Sequence, residues 1–185
     1  MSDIPDLLTL ARRALDEAGV RHAVIGGCAR NAYAEARATK DVDFVVDATE
    51  STYPGIAVAL VARAFRRAVM VKEPEDVVPD FESFRDPVGR RIDLLFAKTD
   101  FERSALARSE ERTPYAGVSL AVVSPEDLIV YKLLAGRTQD WSDLEAILET
   151  QAIAQREIDW LYIERWAREW EVEDRVADLR ARMKA

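Results

Sequence analysis

Two aspartates one residue apart, Asp41 and Asp43, open an apolar run of Val42, Phe44, Val45 and Val46. Successive side chains on a strand point to opposite faces, so positions i and i+2 place both carboxylates on one face, with Val42 and Phe44 on the other. Two hard oxygen ligands a few ångströms apart make a site for a divalent cation. Without one, the carboxylates would repel each other and raise one another's pKa. Bound Mg²⁺ or Mn²⁺ removes that cost, and Mg²⁺ in particular is held by one or two carboxylates together with phosphate oxygens.

The segments on either side read as alternating helices and strands. Ile4, Leu7, Leu8, Ala11, Leu15 and Ala18 recur at helical spacing before Gly19, which predicts an amphipathic first helix. His22 to Ile25 reads as a short buried strand running into Gly26-Gly27, and Cys28 to Ala36 as an alanine-rich helix. After the strand from Asp41 to Val46, a helix-like pattern covers Tyr53 to Ala68, preceded by capping candidates between Thr49 and Thr52. Short extended runs follow at 69–71 and 81–84. The turn Asp86-Pro87-Val88-Gly89 then leads into Arg91 to Phe96, a hairpin signal.

Within that last arm, Asp93 shares a face with Arg91 and Leu95, a costly place for an idle charge. A helix at 100–107 and a strand at 118–123 complete a core expected over residues 1–123. Residues 124–185 read as a helical region packed against it. Ser124-Pro125-Glu126-Asp127 starts one helix that stops at Gly136, and Asp140-Trp141-Ser142-Asp143 starts another. Ile158, Tyr162, Trp166 and Trp170 form an i+4 stripe, read as core or as a homodimer contact, and a charged last helix carries Val172, Val176 and Leu179. The fold class is α/β (α+β), a mixed sheet flanked by helices.

Composition narrows the chemistry. At 185 residues, 49% hydrophobic and 32% charged, the chain matches a globular protein with one sizeable core. No apolar stretch is long enough to span a membrane, and the acidic start Met1-Ser2-Asp3-Ile4-Pro5-Asp6 lacks a signal-peptide core. A cytoplasmic location is expected. One cysteine, Cys28, and one histidine, His22, exclude an internal disulfide and a Cys/His zinc site, so any metal must be held by oxygen. A net charge of −8 disfavours a general nucleic-acid coat. Two arginine clusters, at 63, 66 and 67 and at 85, 90 and 91, have acidic neighbours and read as solvated faces.

Three features are to be taken together: the Gly26-Gly27 turn, the Asp41-Val42-Asp43 pair and the mid-strand Asp93. Glycines before a helix let backbone N–H groups approach an anion, and the helix N-terminus adds partial positive charge. Three carboxylates on neighbouring strands can hold cations that activate an attacking hydroxyl and stabilise a leaving pyrophosphate.

These residues resemble the nucleotidyltransferase superfamily with the DNA polymerase β type of fold. Its pattern is an apolar residue, Gly, Gly or Ser, then Asp-x-Asp, then a third acid on a later strand. Ile25-Gly26-Gly27, Asp41-Val42-Asp43 and Asp93 match it. The stretch from Arg37 to Asp43, with Lys132 and the stretch from Arg137 to Leu144, is similar to the small bacterial AbiEii-like group, which includes toxins of toxin–antitoxin systems. The resemblance spans about residues 20 to 150.

It implies NMP transfer from an NTP to an acceptor hydroxyl, on tRNA or a small molecule such as an antibiotic. Asp41, Asp43 and Asp93 would be catalytic metal ligands, Lys132 and Asp143 nucleotide-site residues, and a cognate antitoxin a partner. Gly27 replaces a common serine, leaving backbone donors or Arg30 to meet the triphosphate, and Gln139 replaces a common lysine. A non-catalytic nucleotide- or partner-binding module is the rival reading. Arg37 serves the triphosphate or holds Asp41 or Asp43, and Lys132 contacts phosphate or snorkels at the surface. Asp140 and Asp143 also suit plain capping of the following helix, and Cys28 reads as a small buried residue.

Overall fold

The computed structural model describes residues 4–183; Met1, Ser2 and Asp3, at the acidic start, lie outside the described residues. Helix α1 (Ile4–Glu17) precedes β1 (Arg21–Ile25), the short α2 (Gly26–Arg30), β2 (Asp41–Asp47) and α3 (Tyr53–Val61). Three strands follow, β3 (Arg66–Val71), β4 (Phe81–Arg85) and β5 (Arg91–Phe96), then α4 (Asp100–Arg108) and the hairpin of β6 (Glu110–Tyr115) and β7 (Val118–Val122). Four helices complete the described residues: α5 (Pro125–Ala135), α6 (Thr138–Ile153), α7 (Trp160–Glu169) and α8 (Glu173–Arg182). The expected mixed α/β fold is observed, with the strands in one seven-stranded sheet of order β3-β4-β5-β2-β1-β7-β6.

Strands β2 and β5 run parallel at the middle of that sheet, and β1 lies antiparallel on the other side of β2. Asp43 is therefore not an edge charge. Val42, Phe44, Ile92 and Leu94 are fully buried, which fixes the opposite face of β2 and β5 as the cleft face. A one-residue slip would move the carboxylates into the core, so burial of these four side chains sets the register.

Several elements depart from the sequence pattern. The helix expected over Cys28–Ala36 ends at Arg30. Asn31 stops it: its side-chain amide donates to the Arg37 carbonyl at 2.9 Å and accepts from the Arg37 N–H at 3.1 Å, tying the loop into a closed turn. The helix expected to reach Ala68 ends at Val61. Ala64 takes a left-handed conformation (φ 64°), and the Phe65 N–H reaches back to the Leu60 carbonyl, so that Phe65 enters the core and the chain turns into β3. Strand β6 has no apolar alternation, and its charged edge sequence hid it; its pairing with β7 defines it. In α7 the buried face is Ile163, Trp166 and Ala167, whereas Trp170 is exposed at the helix end, because α7 meets its neighbours along a narrower stripe than the i+4 pattern suggested.

Buried polar bonds join the last helices to the rest. Asp127 on α5 is fully buried, accepting from Tyr162 Oη on α7 and Ser124 Oγ, both at 2.5 Å, and from Arg108 Nε at 3.3 Å. The Arg108 guanidinium also stacks 4.1 Å from the Tyr162 ring centre. Apolar residues from both sides of residue 123 belong to one core cluster. Replacing Tyr162 with Phe removes one donor to a buried carboxylate; the expected loss is about 1–2 kcal/mol in urea denaturation.

Candidate active site

A cleft of about 430 Å³ opens where β1, β2 and β5 meet α5 and the start of α6. Its lining contains Gly26, Gly27, Arg37, Asp41, Asp43, Asp93, Lys132 and Asp143. Eight of the nine residues singled out from the sequence thus line one space. Arg30 is the exception: it is buried, donates to the Glu35 carbonyl, and its Nε lies 3.4 Å from Asp143.

The carboxylates are assembled by strand register. Asp43 pairs with Asp93 and Asp41 with Arg91 across β2 and β5, so all four side chains share the cleft face. Burial, with the nearby charges of Asp93 and Asp41, pushes the Asp43 carboxyl up to about 7. Burial also raises Asp93, against a hydrogen bond from Ser83 and the charge of Arg91. Arg91, assigned from the sequence to a solvated face, enters the site instead. Its Nη2 donates to Asp41 Oδ2 at 2.6 Å, and its Nε lies 3.2 Å from Asp93 Oδ2.

Gly26 follows from the same register, since Ile25 pairs with Asp43. It adopts φ 64°, and a β-carbon on it would stand 2.2 Å from Asp43 Oδ2, so backbone alone fits against this carboxylate. A β-carbon on Gly27 would meet Thr39 Oγ1 at 2.8 Å. Thr39, missed from the sequence, thus fills the space of an added side chain and brings a hydroxyl to the cleft wall. The helix behind these glycines has only five residues, a weaker source of positive potential than the expected nine-residue helix. Cys28 is fully buried, and burial raises its thiol to about 12, so the short helix does not activate it.

The opposite wall is an ion network centred on Asp143. Arg37 binds it with two parallel bonds, Nε to Oδ1 at 2.8 Å and Nη2 to Oδ2 at 2.7 Å, while Lys132 Nζ donates to Oδ2 at 2.6 Å. Arg37 therefore holds Asp143 rather than Asp41 or Asp43. Lys132 is 4% exposed and also reaches Asp140 at 3.3 Å, which removes the snorkelling reading. Asp140 is not an N-cap. It occupies the third position of α6, where it accepts from the N–H and the Nε of Arg137, the capping residue. Burial alone would raise both aspartates, but hydrogen bonds from Arg37 and Lys132 to Asp143, and from Arg137 to Asp140, hold both below the usual carboxylate range.

Among the described residues, no group of three or more His, Cys, Asp or Glu side chains stands as a ready-made metal-ligand set. The acids of the cleft nevertheless fit a divalent cation in kind. Oxygen donors converge from two adjacent strands, and burial together with the charges of Asp93 and Asp41 raises Asp43, a cost that a bound cation would offset. Arg91 is the present counter-ion of Asp41 and Asp93, and a cation binding there competes with it.

No protein-family model matches the chain, and neither does any curated protein sequence. Solved structures do. The chain is similar to the antibiotic-resistance factor ANT(2'')-Ia, with a TM-score of 0.60 and 14% identity over 96% of this chain and 95% of that one. It is also similar to the lincosamide antibiotic adenylyltransferase LnuA (TM-score 0.53, 14% identity, 80% of this chain and 98% of that one). A third similar structure is an antigenic nucleotidyltransferase-like protein from Paracoccidioides brasiliensis, with a TM-score of 0.53 and 19% identity over 82% of this chain and 77% of that one. The fold is that of nucleotidyltransferase-like proteins.

Two outcomes test this electrostatic arrangement. The folded-state pKa of Asp43 lies above its unfolded 3.8, so the metal-free fold loses stability as pH rises from about 4 to about 7. Asp43→Asn removes that loss; in chelator its advantage in urea stability over the parent is expected to grow across this interval to about 1 kcal/mol or more. Lys132→Met leaves two buried carboxylates short of a cation, and a loss of about 3 kcal/mol is expected in the same assay.

Proposed function

We propose that the protein is a divalent-cation-dependent nucleotidyltransferase that moves an NMP from an NTP to an acceptor hydroxyl and releases pyrophosphate. The observation that carries this reading is the direct pairing of Asp43 with Asp93 in a cleft where the Gly26 backbone lies against Asp43 and Arg37 and Lys132 stand on the opposite wall. A binding-only module has no use for two opposed mid-strand carboxylates, one of them raised to about 7 by burial and by the nearby charges of Asp93 and Asp41. Similarity of fold to a lincosamide adenylyltransferase and to an antibiotic-resistance factor supports the same class.

Asp41, Asp43 and Asp93 would hold Mg²⁺ or Mn²⁺, which supplies charge neutralisation at the α-phosphate and the leaving pyrophosphate. The backbone at Gly26 and Gly27 and the Thr39 hydroxyl face the phosphates, as does the Lys132 ammonium, within reach from its post between Asp140 and Asp143. Arg37 keeps Asp143, and through it Lys132, in place. The acceptor oxygen forms a bond to the α-phosphorus as the bond to the pyrophosphate oxygen breaks, and Asp93 takes the hydroxyl proton. Positioning and fixed charge supply the rate, since no covalent enzyme intermediate is needed.

A place among AbiEii-like toxins, acting on a tRNA end and opposed by an antitoxin, is the finer form of this proposal. Its support is that two distant segments, 37–43 and 132–144, meet at Asp143.

Incubation with Mg²⁺, each α-labelled NTP, and either total tRNA or a panel of antibiotics should yield a labelled acceptor. Asp43→Asn and Asp93→Asn are expected to lower transfer by at least about a hundredfold while leaving the circular dichroism spectrum unchanged. Undiminished transfer in either variant would exclude the mechanism.

A further inference from the structure

Strands β2, β5, β4 and β3 lie side by side, and their registers put four residues in one row. Asp41 faces Arg91, Arg91 faces Arg85, and Arg85 faces Arg66. Directly opposed residues share a face of the sheet, so three guanidinium groups run from beside the carboxylates to the sheet edge, Arg91 to Arg66 spanning about 10 Å at ordinary strand spacing. The other arginines of these segments are held elsewhere. Arg67 turns to the opposite face and binds Glu82 at 2.6 Å, Arg63 binds Glu17 at 2.6 Å, and Arg90 binds Asp86 at 2.6 Å.

The outer part of the row is open. Arg66 and Arg85 are exposed; Arg85 donates to the Gly89 carbonyl, and Arg66 has no ion-pair partner among the described residues. In the adjacent row Ser83 stands opposite Asp93, with its hydroxyl in hydrogen-bonding reach of that carboxylate. The inner end of the row, Arg91, thus lies against Asp93, beside the site where an acceptor oxygen would react.

We propose that Arg91, Arg85 and Arg66 form a track for the backbone phosphates of a single-stranded nucleic acid, whose terminal hydroxyl reaches Asp93. This rests on the nucleotidyltransferase reading and names its acceptor class. Guanidinium groups at regular spacing suit a repeating anion and repel a cationic small molecule such as an amine-bearing antibiotic. The net charge of −8 does not oppose this. It suppresses binding along the rest of the surface and leaves the row as a local exception, favouring capture of a strand end over coating of a strand.

The test uses fluorescence anisotropy of short labelled single-stranded RNA and DNA with the full chain at low and moderate salt. Binding of one or both is expected, and the two arms show whether the sugar matters. The double substitution Arg66→Gln with Arg85→Gln should weaken binding by roughly tenfold or more and reduce the slope of log affinity against log salt by about 1.4. Calorimetric binding of Mg²⁺·NTP should not change, and in transfer assays KM for the strand should rise with KM for NTP constant. Both positions are exposed, and an unchanged unfolding temperature will show that the variant is folded.

The track is overturned if neither strand binds at low salt, or if the double variant binds as tightly as the parent. Transfer to small molecules alongside either result would leave the nucleotidyltransferase reading standing. Strand binding that depends on Arg66 and Arg85 without any Mg²⁺·NTP binding would do the reverse, supporting the track and removing the enzyme.

Discussion

Parallel pairing of β2 with β5 opposes Asp43 to Asp93, and the site depends on that one register. Burial of Val42, Phe44, Ile92 and Leu94 on the far face forces the carboxylates onto the near face, where burial and the charges of Asp93 and Asp41 raise the affinity of Asp43 for a proton. The surrounding parts answer this accumulation of negative charge. Arg91 lies against two of the acids, and Gly26 lets bare backbone approach the third, where any side chain would collide with Asp43. The core tolerates a strained electrostatic site because its hydrophobic face leaves the strands no other register.

Asp143 plays the complementary part on the opposite wall. It gathers Arg37, Lys132 and, at longer range, Arg30, and so joins the loop after α2 to α5 and α6. This network brings cations from distant segments to one side of the cleft while the acids of β2 and β5 stay on the other. A site for a phosphorylated substrate and a divalent cation needs that separation, since a guanidinium driven fully onto the acids would displace the metal. Arg91 stands at the boundary, paired with the acids and continuous with Arg85 and Arg66.

Most of the fold was legible because the strands β1, β2 and β5 and the helices α1 and α5 carry strong period and cap signals. The stop of α5 at Gly136 is one example: the residue adopts φ 63° as a left-handed cap. What misled was local propensity in weakly patterned stretches. Alanines suggested a helix through Ala36 that Asn31 ends by bonding to Arg37, and β6 is a charged edge that exists through its pairing with β7. Asp41, Asp43, Gly26 and Gly27 were visible as a motif, whereas Thr39 and Arg91 were not, because each matters through a neighbour distant in the chain or across a strand.

The sequence by itself determined the alternation that puts Asp41 and Asp43 on one face, the glycine turn ahead of them and the acid at position 93, because strand periodicity and backbone sterics are local. Only the tertiary structure decided what those acids meet. Strand order places Arg91 beside Asp41 and aligns it with Arg85 and Arg66, while helix packing buries Lys132 against Asp143 and turns Arg30 away from the cleft. Coulombic partners are chosen by through-space distance, and residues 50 or 106 positions apart in the chain become nearest neighbours only when the sheet and the helices close.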